Sequence, residues 1–278
     1  MKDSIYPCIW FDGQAKAAAE FYCPLFKNSK ITSENPMVVM FELNGTKMMG
    51  LNGGPQFKIT PAISFFVLCE SIEDTNGLWD KLIDGGKALI PIDKQAWSER
   101  YGWLQDKFGL TWQISVVNKA GDKQKITPSL LFTGKQFGRA KEAIDHYTSI
   151  FENSATDNLI PYPGGDTNAG KVMFSEFNLN KYQVIAMDGP GEHNYTFNEG
   201  VSFVVNCETQ KEIDHYWNKL CEGGAESMCG WLVDKFGVSW QIVPANLGKL
   251  MNNPVKSQKV MQALLKMRKL DIETLENA

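Results

Sequence analysis

The chain is short of histidine, of charge of either sign in excess, and of long apolar runs. Three histidines occur in 278 residues, and none precedes His146. Lysine plus arginine number 28 against 32 acidic residues, for a net charge of −4, and the charges are interspersed. Only Lys266, Arg268 and Lys269 form a modest basic cluster. That balance disfavours nucleic-acid binding. No stretch reaches the roughly eighteen apolar residues that a membrane-spanning helix needs. The opening MKDSIYPCIWFDG lacks the apolar region of a signal peptide, so a cytoplasmic protein with no membrane partner is expected. The six cysteines, Cys8, Cys23, Cys69, Cys207, Cys221 and Cys229, include no C-x-x-C pair. They read as buried, reduced thiols. No G-x-G-x-x-G, no P-loop and no G-x-S-x-G occurs, which excludes the common nucleotide sites and the nucleophile elbow. Cys8, Cys23 and Cys69 have no histidine in their own half of the chain to activate them.

What the chain does have is a repeat. Residues 102–114 read GWLQDKFGLTWQI and residues 230–242 read GWLVDKFGVSWQI, identical at ten of thirteen positions. Each predicts a hairpin turning at Lys-Phe-Gly, where glycine supplies the positive φ of a tight connection. In the second arm Leu110, Trp112 and Ile114 alternate with Thr111, Gln113 and Ser115, so one face is apolar and the other carries an amide at its centre. Val238, Trp240 and Ile242 repeat the pattern against Ser239 and Gln241.

The repeat extends over most of the chain. Pro128–Phe132 matches Pro7–Phe11, Val201–Val205 matches Ile63–Val67, and Trp217–Leu220 matches Trp79–Leu82. Within each copy the pattern predicts strand, helix and three strands, twice over. The first cycle reads as a strand over 5–11, a helix over 15–26, and strands over 30–34, 37–43 and 46–51. The second reads as a strand over 62–69, a helix over 72–83, a strand over 87–90 and the hairpin. Neither cycle covers its own sheet, so the two cycles of one copy are expected to pair into one curved eight-stranded sheet. The first copy carries ten extra residues within 87–101, including Trp97, Arg100 and Tyr101, which read as a lid or a longer surface loop. Asn118–Lys125 is polar and reads as a linker. The tail, 254–278, predicts an amphipathic helix broken near Asp271. The fold class is therefore α+β, with tandem domains over 1–120 and 126–250.

The repeated hairpin, the P-x-L-x-F opening ahead of an Ala-rich helix, and the tail MRKLDIETLENA together resemble the PhnB-like group of the vicinal oxygen chelate superfamily, which includes glyoxalase I, bleomycin-resistance proteins and extradiol dioxygenases. The resemblance covers nearly the whole chain, as two tandem domains. It implies paired βαβββ modules forming cupped eight-stranded sheets around a small-molecule site, with the two domains packed as an internal pseudo-dimer or the chain as a homodimer. Proteins of this type have often carried the label 3-demethylubiquinone 3-methyltransferase, yet no glycine-rich loop follows a parallel strand here to hold an adenosyl cofactor.

The resemblance also implies a divalent metal held by His, Glu or Gln from the first and last strands of the modules. Those positions fall near Pro7 and Pro128, on Ser64 and Ser202, and on Gln113 and Gln241. None is a histidine or a carboxylate. Glu42 and Glu176 remain as candidate ligands near the cups. The expected site is thus a metal-free cup with no cofactor, binding a small organic molecule through Ser64, Gln113, Ser202 and Gln241. Its apolar walls are expected from Ile9, Leu130, Phe66 and Val204, with Trp103 and Trp231 at the hairpins. Two functions follow: a binding or sequestering protein, or a metal-dependent enzyme on a small oxygenated substrate.

Overall fold

The computed structural model describes residues 4–117 and 126–278. The linker expected over 118–125 lies outside them. Four βαβββ modules follow one another. The first comprises β1 (Ile5–Phe11), α1 (Ala15–Tyr22), β2 (Lys30–Glu34), β3 (Val38–Leu43) and β4 (Thr46–Asn52). The second comprises β5 (Ile63–Cys69), α2 (Ile72–Ile83), β6 (Lys87–Gln95), β7 (Ser98–Gln105) and β8 (Thr111–Val116). The third comprises β9 (Ile126–Phe132), α3 (Ala140–Ile150), β10 (Ala155–Pro161), β11 (Val172–Leu179) and β12 (Tyr182–Asp188). The fourth comprises β13 (Val201–Cys207), α4 (Gln210–Cys221), β14 (Ala225–Glu226), β15 (Trp231–Val233) and β16 (Ser239–Pro244). Three short helices close the chain: α5 (Leu247–Met251), α6 (Ser257–Leu264) and α7 (Ile272–Glu276).

Local chemistry sets these limits. Pro24 has no N–H to donate, so α1 gives way at Cys23 to a single 3-10 turn. The Ser71 hydroxyl accepts from the Asp74 amide at 3.0 Å and starts α2. Thr209 and Glu212 form a reciprocal capping box on α4. Asn44 and Gly45, at φ 51° and 78°, make the turn between β3 and β4. Asp271 caps α7 by accepting from the Thr274 amide, which is where the tail helix breaks.

The sheets do not form as the repeat suggests. The expectation that both cycles of one copy share a sheet is overturned. The first sheet runs β14-β15-β16-β13-β1-β4-β3-β2, and the second runs β10-β11-β12-β9-β5-β8-β7-β6. The first module therefore joins the fourth, through antiparallel β1 and β13 with Cys8 opposite Ser202. The second module joins the third, through antiparallel β5 and β9 with Ser64 opposite Ser129. Within its own module each of β1, β5, β9 and β13 leaves one edge to be paired, and edge hydrogen bonding does not discriminate among the four, so the repeat by itself does not set the pairing. Each sheet thus takes half of its strands from each copy.

Alternation then sorts the side chains. Ile5, Ile9 and Phe11 of β1 join the main core with α1, and Ile126, Leu130 and Phe132 do so from β9. Tyr6 and Cys8 face the other way, into a separate cluster on the concave side of the first sheet. Phe66, Tyr101 and Ile185 form the corresponding cluster on the second.

Candidate functional site

The two concave faces are the cups, and they are not equivalent. In the second cup the Gln113 amide sits at the centre of a closed polar chain. Its Nε2 donates to Ser64 Oγ at 2.8 Å and lies 3.4 Å from Ser129 Oγ. Its Oε1 accepts from the Tyr101 hydroxyl at 2.7 Å. Burial pushes the Tyr101 phenol further above its ordinary value, so it stays a donor. Phe66 lies 6.3 Å from the rings of both Tyr101 and Phe174. Leu68, Trp103, Phe174 and Met187 pack around this cluster. Trp103 is paired in register with Gln113, and its indole Nε1 is buried with no hydrogen-bond partner among the described residues. Glu176 is paired in register with Ile185 and so shares this face.

The ten extra residues of the first copy lengthen this cup's wall. They make β6 nine and β7 eight residues long, against two and three in β14 and β15. Arg100 ties the hairpin to α2 through Asn76 at 2.7 Å. At the tip, Trp97 is 62% exposed and its ring lies 4.5 Å from that of Tyr101.

In the first cup Gln241 Nε2 donates to Ser202 Oγ at 3.0 Å, repeating the Gln113–Ser64 pair. The place of Ser129 is taken by Cys8, opposite Ser202. Burial pushes the Cys8 thiol up to about 12, so it is a thiol and not a thiolate. Counting along the repeat, Cys229 stands where Tyr101 stands in the other copy. The cup is filled. Val260, Leu270 and Leu275 of the tail are buried in one cluster with Tyr6, Cys8, Val204 and Val243. Trp231 lies at this cup beside Trp10, with ring centroids 5.9 Å apart, and Trp10 donates to the Gly54 carbonyl at 2.7 Å.

Of the residues expected at the site, the structure brings Ser64, Gln113, Phe66 and Trp103 together in the second cup, and Ser202, Gln241 and Trp231 in the first. Ile9 and Leu130 are corrections. Both belong to the main core on the helix side, one position out of phase with the cup-facing Cys8 and Ser129. Sequence reasoning did not pick out Ser129, Tyr101 or Cys8 as cup residues. The phase of Ser64 and Gln113, carried across the strand pairing, is the signal that finds them.

The amide, hydroxyl and thiol groups of the two cup floors are a poor set for the metal implied by the family resemblance, and Glu176 is the candidate carboxylate that shares the second cup's face. Gln113 Oε1 already accepts from Tyr101, and the remaining groups of that chain are hydroxyls. Cys8 is a buried thiol. Glu42 is 3.8 Å from Lys30 at the sheet edge. His146 and His215 lie in α3 and α4, and His193 lies between β12 and β13, where its Nε2 is 3.1 Å from the Pro190 carbonyl. Among the described residues no three or more His, Cys, Asp or Glu side chains converge to hold an ion. A groove of about 410 Å³ at Trp217, Asn218, Lys219, Cys221, Glu222 and Glu226 lies at α4 and β14 rather than on the Ser–Gln floor of either cup.

A sequence model of the family described as 3-demethylubiquinone-9 3-methyltransferase matches the chain twice, over residues 3–115 and 124–243. The chain belongs to this PhnB-like family. Among solved structures, it is 32% identical to a PhnB protein from Bacillus cereus, a match covering 40% of this chain and 98% of that one with a TM-score of 0.38. Glyoxalase I from Zea mays matches at 10% identity over 88% of this chain and 94% of that one, with a TM-score of 0.57. That likeness shows the vicinal oxygen chelate fold in its tandem form. A glyoxalase-related enzyme from Fulvimarina pelagi matches at 16% identity over 43% of this chain and 94% of that one, with a TM-score of 0.35. No match was found among curated proteins. Among the described residues of this PhnB-like chain, no helix is long and apolar enough to cross a membrane.

Proposed function

We propose that this PhnB-like protein binds one small organic molecule in the second cup, without a resident metal. The observation that carries the reading is the Trp103 indole N–H, buried in that cup beside the Gln113 amide with no partner among the described residues. A stranded buried donor calls for an acceptor, and none of the described residues supplies one. Ser64, Ser129, Gln113 and Tyr101 are bonded to one another, so they fix the floor rather than wait for a ligand. Phe66 and Phe174 offer the apolar surface that small-molecule sites use. The likeness to glyoxalase I supports a small-molecule cup through its fold alone. Methyl transfer, named in the family's description, is not carried over. Both sheets are mixed eight-stranded cups rather than the doubly wound sheet that holds an adenosyl cofactor.

The second reading is a metal-dependent enzyme, favoured by the Glu176 carboxylate on the same concave face. Metal analysis together with a thermal-shift screen separates the two. A bound ligand raises Tm by mass action. Small acceptor-bearing molecules are expected to raise Tm in the wild type and less in Trp103→Phe, with no stoichiometric Zn²⁺, Ni²⁺, Mn²⁺ or Fe²⁺. A metal retained at one per chain and lost in Gln113→Ala or Glu176→Gln would replace the binding reading with the enzyme.

A further inference from the structure

The first cup keeps the parts of a ligand seat while the chain's own tail sits in it. Ser202 and Gln241 reproduce the pair found in the second cup. Beside Ser202 in the sheet, Ser239 is fully buried and its hydroxyl has no partner among the described residues. A face built only for packing would place an apolar side chain there, because an unpaired buried hydroxyl is costly. The walls are apolar and rich in sulfur: Met40, Met49 and Leu51 from the sheet join Tyr6, Cys8, Val204 and Val243.

The tail also replaces a missing wall. In the second cup β7 runs back to Ser98 and pairs with β8, with Tyr101 opposite Ser115. In the fourth module the ten residues are absent and β15 begins only at Trp231. The amides of Cys229 and Gly230 are taken instead by the carbonyls of Met267 and Arg268, at 2.7 and 2.8 Å. Leu270 lies over Gly230, where even a Cβ would come within 3.1 Å of its side chain.

This closure is built from short helices. The helices α5, α6 and α7 have five, eight and five residues, and α6 and α7 each bury one apolar side chain, Val260 and Leu275. The polar anchors are mostly at the surface: Lys269 to Asp214 at 2.7 Å, Arg268 to Glu226 at 3.6 Å, and Gln210 to Leu270 and Ile272. Val260, Leu270 and Leu275 are the tail's fully buried anchors, with Leu250, Met251, Leu264 and Met267 half-buried around them, and such short helices open locally more readily than the sheet beneath them.

We propose that residues 247–276 are a tethered occupant of the first cup, and that their release uncovers a second seat for an uncharged apolar molecule with one hydrogen-bonding end. The apolar part takes the place of Val260, Leu270 and Leu275, and the polar end meets Ser239 and Gln241. This seat stands independently of the reading of the second cup.

The test uses the full-length protein, the tail variant Val260→Asp and the milder Leu275→Ala. Hydrogen exchange reports tail release, N-ethylmaleimide alkylation of Cys8 reports opening of the cup, and N-phenyl-1-naphthylamine is the apolar probe. In the variants, tail peptides and Cys8 alkylation are expected to speed up at least tenfold while β1 and β13 stay protected. One probe per chain then binds and slows the alkylation, and adding Ser239→Ala weakens that binding several-fold. Trp103→Phe leaves it unchanged, which separates this seat from the second cup. A released tail with Cys8 as protected as in the wild type overturns the proposal. So does Cys8 exposure that appears only with exchange in β1, or a probe that leaves alkylation unchanged.

Discussion

Tyr22 donates its hydroxyl to Oδ2 of Asp106 at 2.7 Å, and the two residues belong to modules that lie in different sheets. The same carboxylate accepts from the Trp112 indole at 2.8 Å and from the amides of Phe108 and Leu110 at 2.8 and 3.1 Å. Asp234 repeats all four bonds with Tyr147, Trp240, Phe236 and Val238. The repeated hairpin motif is thus a buried carboxylate that holds its own turn and bolts one module of each copy to the next.

Replacing either aspartate by asparagine turns one acceptor into a donor facing the Tyr hydroxyl and Trp N–H. Asp106→Asn and Asp234→Asn are each expected to lower the unfolding free energy by about 1–3 kcal/mol, measured by urea denaturation. A loss confined to one of the two would contradict their equivalence.

Burial holds both carboxyls above their ordinary 3.8, although the four donors pull the other way. A folded-state pKa above the unfolded one means that the folded chain binds more protons between the two values. The stability these groups contribute is fully present below about the ordinary value and is lost as pH rises through the raised one. Relative to the double asparagine variant, the wild type is expected to lose stability as pH rises from 4 towards neutrality. A wild type that gains stability over that range would reverse the sign.

The two central amides differ in what they leave behind. Gln113→Ala takes a partner from the buried Tyr101 hydroxyl and from Ser64, whereas Gln241→Ala takes one from Ser202 and from the Cys8 thiol, a weak hydrogen-bonding group that still bonds Ser202. With each orphaned buried group costing about 1–3 kcal/mol, the first substitution is expected to depress Tm more than the second in differential scanning calorimetry.

Gly86 and Gly224 each close the connection from a helix to the following strand. A Cβ would lie 2.2 Å from the Gln105 carbonyl oxygen at Gly86, and 2.1 Å from that of Val233 at Gly224. Because backbone is in the way, alanine at either position is expected to destabilise by about 1–3 kcal/mol, read as a shift in the urea midpoint.

Much of this architecture is legible in the sequence because the signals are local. Period-two alternation, Asn-Gly and Lys-Phe-Gly turns and capping residues place the strands and helices of the modules, and the family resemblance sets Ser64 with Gln113 and Ser202 with Gln241. Ile9 and Leu130 were misplaced because both faces of β1 and β9 are apolar or small, so alternation there carries no polarity to set its phase. Tyr101 was read as part of a loop, since its role depends on a strand extension that pairs with β8.

Composition and periodicity by themselves determined the modules and the repeated hairpins, since each depends on contacts a few residues apart. Which module pairs with which, and which cup stays free of the tail, was decided only by the tertiary structure. Four similar strand edges compete for partners, and backbone hydrogen bonding does not distinguish them. The tail's seat exists only where a shortened hairpin leaves the amides of Cys229 and Gly230 for the carbonyls of Met267 and Arg268, and no local pattern in residues 254–278 records that vacancy.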